Sequence, residues 1–252
     1  MSSFIDKLNF TINEFKIFEH LRNKYRGIIS DRLLGVIVRQ QRKEKKYYKK
    51  CKEIIELERS VGLSNIKISY NILKALKKGA IIYNQNLQTY NGIPLIIVKP
   101  FVMYEQKLQE NDRMKCIFYT INQIITNFPE VTTKGIHIII YMKNINLCHG
   151  LAFISKVFPY LKKLPARPQK IEVYKPADSV LFTFNLLVKQ LMPRHMIDRV
   201  KVLDTITKLK QSIGRENILY LCKGNMKYDI GNVVKNIFCK GDKNVCAVYD
   251  KI

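Results

Sequence analysis

Gly135–Met142 reads GIHIIIYM, and this octapeptide decides the class of fold. Apart from His137, its residues are apolar on both faces of an extended chain. A strand with one wet face alternates apolar and polar residues. One that is apolar on both faces belongs inside a parallel sheet covered by helices. His137, alone among isoleucines, is expected to be a hydrogen-bonded core residue rather than a catalytic one.

Downstream, Lys170–Tyr174 (KIEVY) reads as the next strand, and Ile197–Leu203 contains a last one, VKVL. Between them lies Ala177–Met192, ADSVLFTFNLLVKQLM, a helix with Asp178 or Ser179 as N-cap and Pro193 as its breaker. Only Thr183, Asn185, Lys189 and Gln190 interrupt its apolar circumference after the cap. Such a helix is buried on several sides or closes over a hydrophobic ligand. Leu151–Leu164 reads as a helix with a proline, Pro159, inside it.

Upstream, Asn91-Gly92 marks a turn before the short apolar strand Ile93–Val98, which Pro100 ends. Arg113–Phe128 spaces Met114, Ile117, Phe118, Ile121, Ile124 and Ile125 along one helix face before Pro129. Strands alternating with helices in this order predict an α/β domain of right-handed crossovers.

The first 80 residues read differently. Helices are expected over Phe4–Tyr25, from a Ser30 cap through Val38, over a basic stretch from Arg39 that stops before Gly62, and over Ser69–Lys78, closed by Gly79. Arg39–Lys52 carries eight Lys or Arg against one Glu. Such a run is either a solvated face or an anion site. Tyr47 and Tyr48 within it point to different sides of a helix and make no stacking platform for bases. The expected organisation is a helical domain over 1–80, an α/β domain over 88–224 and a weakly patterned tail over 225–252.

Composition narrows the function. The 252 residues are 47% hydrophobic, enough for a substantial core, with no run long enough to span a membrane and no signal-peptide pattern at the start. The six cysteines are scattered without a C-x-x-C pair, which points to a reducing, cytoplasmic setting and against zinc. A net charge of +24 favours a polyanionic partner, nucleic acid or an acidic membrane face. No glycine-rich phosphate loop, G-x-S-x-G elbow, metal-type histidine spacing or carboxylate pair occurs. The sequence therefore reads as a binding protein rather than an enzyme, with no catalytic residue, metal or cofactor expected.

Four segments together resemble the CRAL-TRIO lipid-binding family, and most closely its alpha-tocopherol transfer protein-like branch. They are Leu33–Gly62 (LLGVIVRQQRKEKKYYKKCKEIIELERSVG), Asn91–Lys107 (NGIPLIIVKPFVMYEQK), Gly135–Leu151 (GIHIIIYMKNINLCHGL) and Leu164–Leu203 (LPARPQKIEVYKPADSVLFTFNLLVKQLMPRHMIDRVKVL). The ordered set is the signal. It implies a helical cap on an α/β lipid-binding domain with a mostly parallel sheet as pocket floor. Val180–Met192 stands where the family has its movable lid helix.

On the matching elements, the resemblance implies a lipid pocket formed by Phe118, Ile121, Ile138, Ile140, Phe153, Val157, Phe158, Leu161, Leu181, Phe184, Val188 and Met192. It also implies a phosphoinositide site at Arg167 and Arg199. Gln169 occupies the third basic position, with Lys170 beside it, and Lys201 adds charge nearby. The implied partners are one small hydrophobic lipid and an acidic, phosphoinositide-containing membrane on which a cytoplasmic protein docks. Departures include Tyr141-Met142 for the usual Asp-Leu, Lys175-Pro176 for Asn-x-Pro, and Leu221–Gly224 for Glu-Tyr-Gly-Gly. Two other readings stay open. One is a basic nucleic-acid-binding protein, though it lacks a reader motif. The other is a degenerate scaffold in which Phe153, Phe158 and Phe184 fill the cavity.

Overall fold

The computed structural model describes residues 5–41, 44–61, 69–83, 87–127, 130–161, 163–164, 166–192, 194–215 and 217–218. The expected tail, its cysteines, Leu221–Gly224, Arg42 and Pro193 lie outside the described residues.

The GIHIIIYM segment forms β3 (Ile136–Tyr141), the central strand of a five-stranded sheet. Its neighbours are β2 (Leu95–Val98) and β4 (Pro168–Tyr174), both parallel to it, and β5 (Val200–Leu203) extends the parallel set beyond β4. β1 (Ile81–Ile82) closes the other edge, antiparallel to β2. Both faces of β3 are covered. Ile136, Ile138 and Ile140 join Ile171 and Val173 in the main core, while Ile139 and Tyr141 join Tyr174 and Leu203 in a second one.

Three long helices cover the main-core face: α6 (Glu110–Asn127), α8 (Leu147–Leu161) and α9 (Asp178–Leu191). A last helix, α11 (Ile206–Ile213), covers the other face with Leu209 and Ile213. Single-turn or short helices fill the joints: α5 (Pro100–Glu105), α7 (Val131–Lys134) and α10 (Arg194–Ile197). Pro100 does more than end a strand. It occupies the first turn of α5, where a missing N–H costs nothing.

The helical region before the sheet comprises α1 (Ile12–Lys24), α2 (Asp31–Gln40), α3 (Glu44–Val61) and α4 (Tyr70–Lys77). α1 starts later than expected because Thr11 and Glu14 form a reciprocal capping box, while Asp6–Leu8 make only a 3-10 turn ended by left-handed Asn9. Ser30 caps α2 as read from the sequence, and Ser69, the first residue of the expected Ser69–Lys78 helix, caps α4. α9 differs. Its N-cap is Ala177, with no side-chain hydrogen bond, so neither Asp178 nor Ser179 plays that part.

Leu57, Ile72, Leu73 and Leu76 of α3 and α4 share the main core with α6 and the sheet. β1 lies between the two expected domains, so the helical region and the sheet are joined by a common core and not by an open linker.

Candidate functional site

The sheet face beneath α6 and α8 encloses a wholly apolar cavity apart from one threonine. Ile121, Ile138, Ile140, Phe153, Val157 and Leu161, six of the residues expected around a lipid, line it together with Ile81, Ile96, Val98, Ile117 and Thr120. Its volume is about 20 Å³. That is close to the ~10–15 Å³ a single water needs and far below the roughly 300–1,000 Å³ of a site that buries a lipid-sized ligand. Phe118 packs in the same core without lining the void, and so does Met192. Phe158 meets Phe184 of α9 edge to face, ring centroids 5.7 Å apart. Thr120 satisfies its hydroxyl on the Cys116 carbonyl one turn earlier, which lets a polar residue sit in this wall.

A larger opening lies on the other side of α9. Between that helix and the edge strand β5 runs a groove of about 460 Å³. Leu181, Phe184 and Val188 face it from α9, Ile197 from α10, and Val200 and Val202 from β5, with Asn185, Lys189 and Asp204 as its polar members. Phe184 therefore stands between the open groove and Phe158 on α8. The α9 helix owes its position to one apolar face: Val180, Phe184 and Val188, spaced one turn apart, are fully buried, while Asn185, Leu186, Lys189 and Gln190 are exposed.

The basic residues divide between two places. Arg167, before β4, and Arg199, before β5, meet at the amino ends of these strands and line a polar cavity of about 300 Å³. The Arg199 guanidinium donates to the Pro168 carbonyl at 2.8 Å. Burial depresses the Arg199 pKa, and the like charge of Arg167 depresses it further. Two guanidiniums held against their mutual repulsion suit an anion. Gly135 helps set this geometry. Its φ of +78° brings the start of β3 so near the Arg167 carbonyl that a Cβ would lie 2.6 Å from it.

Two residues absent from the sequence-derived set complete the cavity. Lys46 and Lys50 of α3 face it from the helical region, with Gln40 and Gln41 at the end of α2. Lys50 is half-buried and has Glu53 at 3.4 Å; burial pushes its ammonium pKa down although the carboxylate pulls it back. The Gln40 side-chain nitrogen is shielded from solvent and makes no hydrogen bond among the described residues. The basic run on α3 is thus partly a solvated face and partly one wall of this cavity.

Lys170 and Lys201 are elsewhere. Residues alternate across a strand, so with Ile171 and Val173 in the main core, Lys170 and Glu172 face the opposite side. Lys201 pairs with Glu172 in the β4–β5 register and shares that side. Lys170 contacts Glu172 and Ser212 of α11. Neither lysine lines the Arg167–Arg199 cavity.

That opposite face holds a buried polar cluster. His137 Nε2 lies 2.9 Å from Glu172, and the Ser212 hydroxyl donates to the same carboxylate at 2.7 Å. Burial alone would raise the Glu172 pKa, but His137, Lys170 and Ser212 outweigh it and hold the carboxyl at about 2. His137 is a hydrogen-bonded core residue.

The architecture is that of an α/β ligand-binding domain: a mostly parallel sheet floor, an apolar interior roofed by helices, and a helical region packed against one end. The CRAL/TRIO domain matches residues 76–224, and the chain belongs to that family. A solved structure described as that of Sfh5 shares the fold with a TM-score of 0.53 and 10% identity, covering 92% of this chain and 99% of that one. No curated protein matches the chain in sequence. Family membership supports a lipid-binding or lipid-transfer protein. Among the described residues, no helix is long and apolar enough to cross a membrane, and no three His, Cys, Asp or Glu group as metal ligands.

Proposed function

We propose that the chain carries one hydrophobic ligand beneath α9, and that it docks on acidic, phosphoinositide-containing membrane through the Arg167–Arg199 cavity. The observation that carries the first half is the position of Phe184. It borders a groove of about 460 Å³ on one side and contacts Phe158 of the closed interior on the other. Outward movement of α9 takes Phe184 and Val188 with it and joins the groove to the void against Ile138 and Ile140. In this reading α9 is the lid and the α9–β5 seam is the entrance.

Leaving the closed state exposes aromatic and aliphatic side chains. Each fully buried one contributes roughly 1.5–3 kcal/mol, so the open state is disfavoured in water and favoured where a bilayer or a ligand accepts them. Arg167, Arg199 and Lys46 share one cavity with Leu161 at the end of α8 and with Leu164, which supports an anionic headgroup docking beside that helix. The two basic matches and the lid position also support the tocopherol-transfer-like branch as the nearest functional type.

A second reading is a scaffold without cargo. Phe153, Phe158 and Phe184 are each almost fully buried and leave only about 20 Å³ between the sheet and its helices. Native mass spectrometry of the full chain, before and after incubation with mixed lipid extract, separates the two. A stoichiometric, solvent-extractable lipid is the expected result. A clean ligand-free mass after lipid feeding would discard the carrier reading in favour of the scaffold.

A further inference from the structure

A second polar site, unrelated to the basic cavity, lies where the end of α5 meets the starts of α6 and α8. Tyr104 is its centre. The His149 ring stacks on Tyr104 at 4.1 Å with an 8° interplanar angle, and the Arg113 guanidinium carbon lies 4.2 Å from the same ring centroid. Two planar groups this close to one centroid cannot share a face, so Tyr104 is sandwiched between them. The stacking covers the flat face of the guanidinium and leaves its in-plane N–H groups to find partners at the edge.

That edge lacks a partner among the described residues. Arg113 Nη1 is shielded from solvent and makes no hydrogen bond there, and among the described residues the neighbouring carboxylate of Asp112 pairs with Lys115. The nearby Glu110 is 3.4 Å from Lys156 instead. Tyr104, Glu110, Arg113 and Lys156 line a cavity of about 70 Å³. That is several times the ~10–15 Å³ that holds one water, and it matches a small oxyanion. With two cations and one carboxylate around it, the cavity is net positive. Arg113 borders this space without a carboxylate partner among the described residues, and a guanidinium there is most strongly satisfied by a charged acceptor.

The rest of the lining gives the ligand its class. Phe153 and Val157 of α8 line this cavity and also the closed apolar void on the sheet. They form a shared wall between a cationic pocket and an apolar one, which is the arrangement an anionic amphipath requires. We propose that the Tyr104–Arg113–Lys156 cavity is an oxyanion subsite for the carboxylate head of a single-chain cargo whose tail passes Phe153 and Val157 into the sheet cavity. Arg113 is the anchor, Tyr104 and His149 fix its plane, and Lys156 supplies the second charge from the rim. This rests on the carrier reading for the tail. The oxyanion chemistry of the head stands apart from it.

The experiment measures binding of oleate, methyl oleate and inorganic phosphate to the full chain by titration calorimetry, with Arg113→Gln and the exposed Lys156→Gln beside the native sequence. Glutamine keeps helix propensity, and circular dichroism checks each fold. Oleate is expected to bind at least roughly tenfold tighter than methyl oleate. Arg113→Gln should erase that difference and Lys156→Gln reduce it, with methyl oleate unaffected in both. If oleate and methyl oleate bind equally in native protein and in Arg113→Gln, the carrier reading stands and the subsite is overturned. Arg113-dependent phosphate binding without either lipid keeps the subsite for a free oxyanion and removes the tail assignment. No Arg113-dependent binding of any of the three overturns the proposal.

Discussion

Glu172 shows how a single buried carboxylate ties together elements that are distant in sequence. It sits on β4, accepts from Ser212 of α11, and lies against His137 of β3, so the strand that follows Arg167 is fastened to α11 on the far side of the sheet. The folded carboxyl titrates near 2 against 4.5 for an unperturbed glutamate. A depressed pKa contributes stability that is complete above 4.5 and is lost as the pH falls toward 2. The shift corresponds to a contribution on the order of 3 kcal/mol. Glu172→Gln is therefore expected to lower stability at pH 7 by about that amount, measured by urea denaturation. It should also flatten the loss of stability between about pH 5 and 3. Parallel pH profiles for the native protein and the Glu172→Gln variant would show that the cluster is not ionised in the folded state.

At the scale of elements, α9 is defined by its two faces. Val180, Phe184 and Val188 are buried, whereas Leu186 is 50% exposed on the side away from the sheet. An apolar residue held in water on a proposed lid is placed to enter a bilayer when the lid meets one. Leu186→Asp removes that contact without touching the core. The expected outcome is a folding stability within about 0.5 kcal/mol of native and a roughly tenfold weaker association with liposomes, read by cosedimentation. Unchanged sedimentation would mean that α9 does not insert.

The same helix shows how far sequence carries. Its existence is legible from its apolar run between a cap and a proline, and β3 from its two-faced apolarity. An apolar circumference does not tell which face is buried; packing selects Val180, Phe184 and Val188 and leaves Leu186 exposed. The strands and long helices follow the sequence reading because each contains enough residues to express a period. β1 has two residues and α7 and α10 one turn each, which is too short for a pattern, so tertiary contacts alone create them. Along the chain Lys170 stands beside the Gln169 position and Lys201 two residues from Arg199, so both read as neighbours of the basic pair. Strand alternation, already implied by Ile171 and Val173 between polar neighbours, puts them on the other face. Lys46 and Lys50 were invisible as site residues because more than a hundred residues separate them from Arg167. Only the packing of α3 against the sheet domain brings them together.

For the whole molecule, the question is whether a net charge of +24 acts diffusely or through one place. Diffuse charge attracts every anionic surface in proportion to the charges present, so removing two of them changes little. A cavity that gathers Arg167, Arg199, Lys46 and Lys50 from two parts of the chain behaves differently, because a headgroup inserted there meets several cations at once. A basic residue close to an acidic membrane contributes about 1 kcal/mol. Arg167→Ala combined with Arg199→Ala is thus expected to weaken binding to phosphoinositide vesicles on the order of 30-fold, with cargo loading intact. Binding to phosphatidylserine vesicles of equal charge density should fall much less. Raising ionic strength shortens the Debye length from about 10 Å at 0.1 M to about 3 Å at 1 M, so it should strip the phosphatidylserine component first. Equal losses on both vesicle types would assign docking to overall charge and remove the headgroup site. The same outcome would return weight to nucleic acid as a partner, since a diffuse cation does not distinguish one polyanion from another.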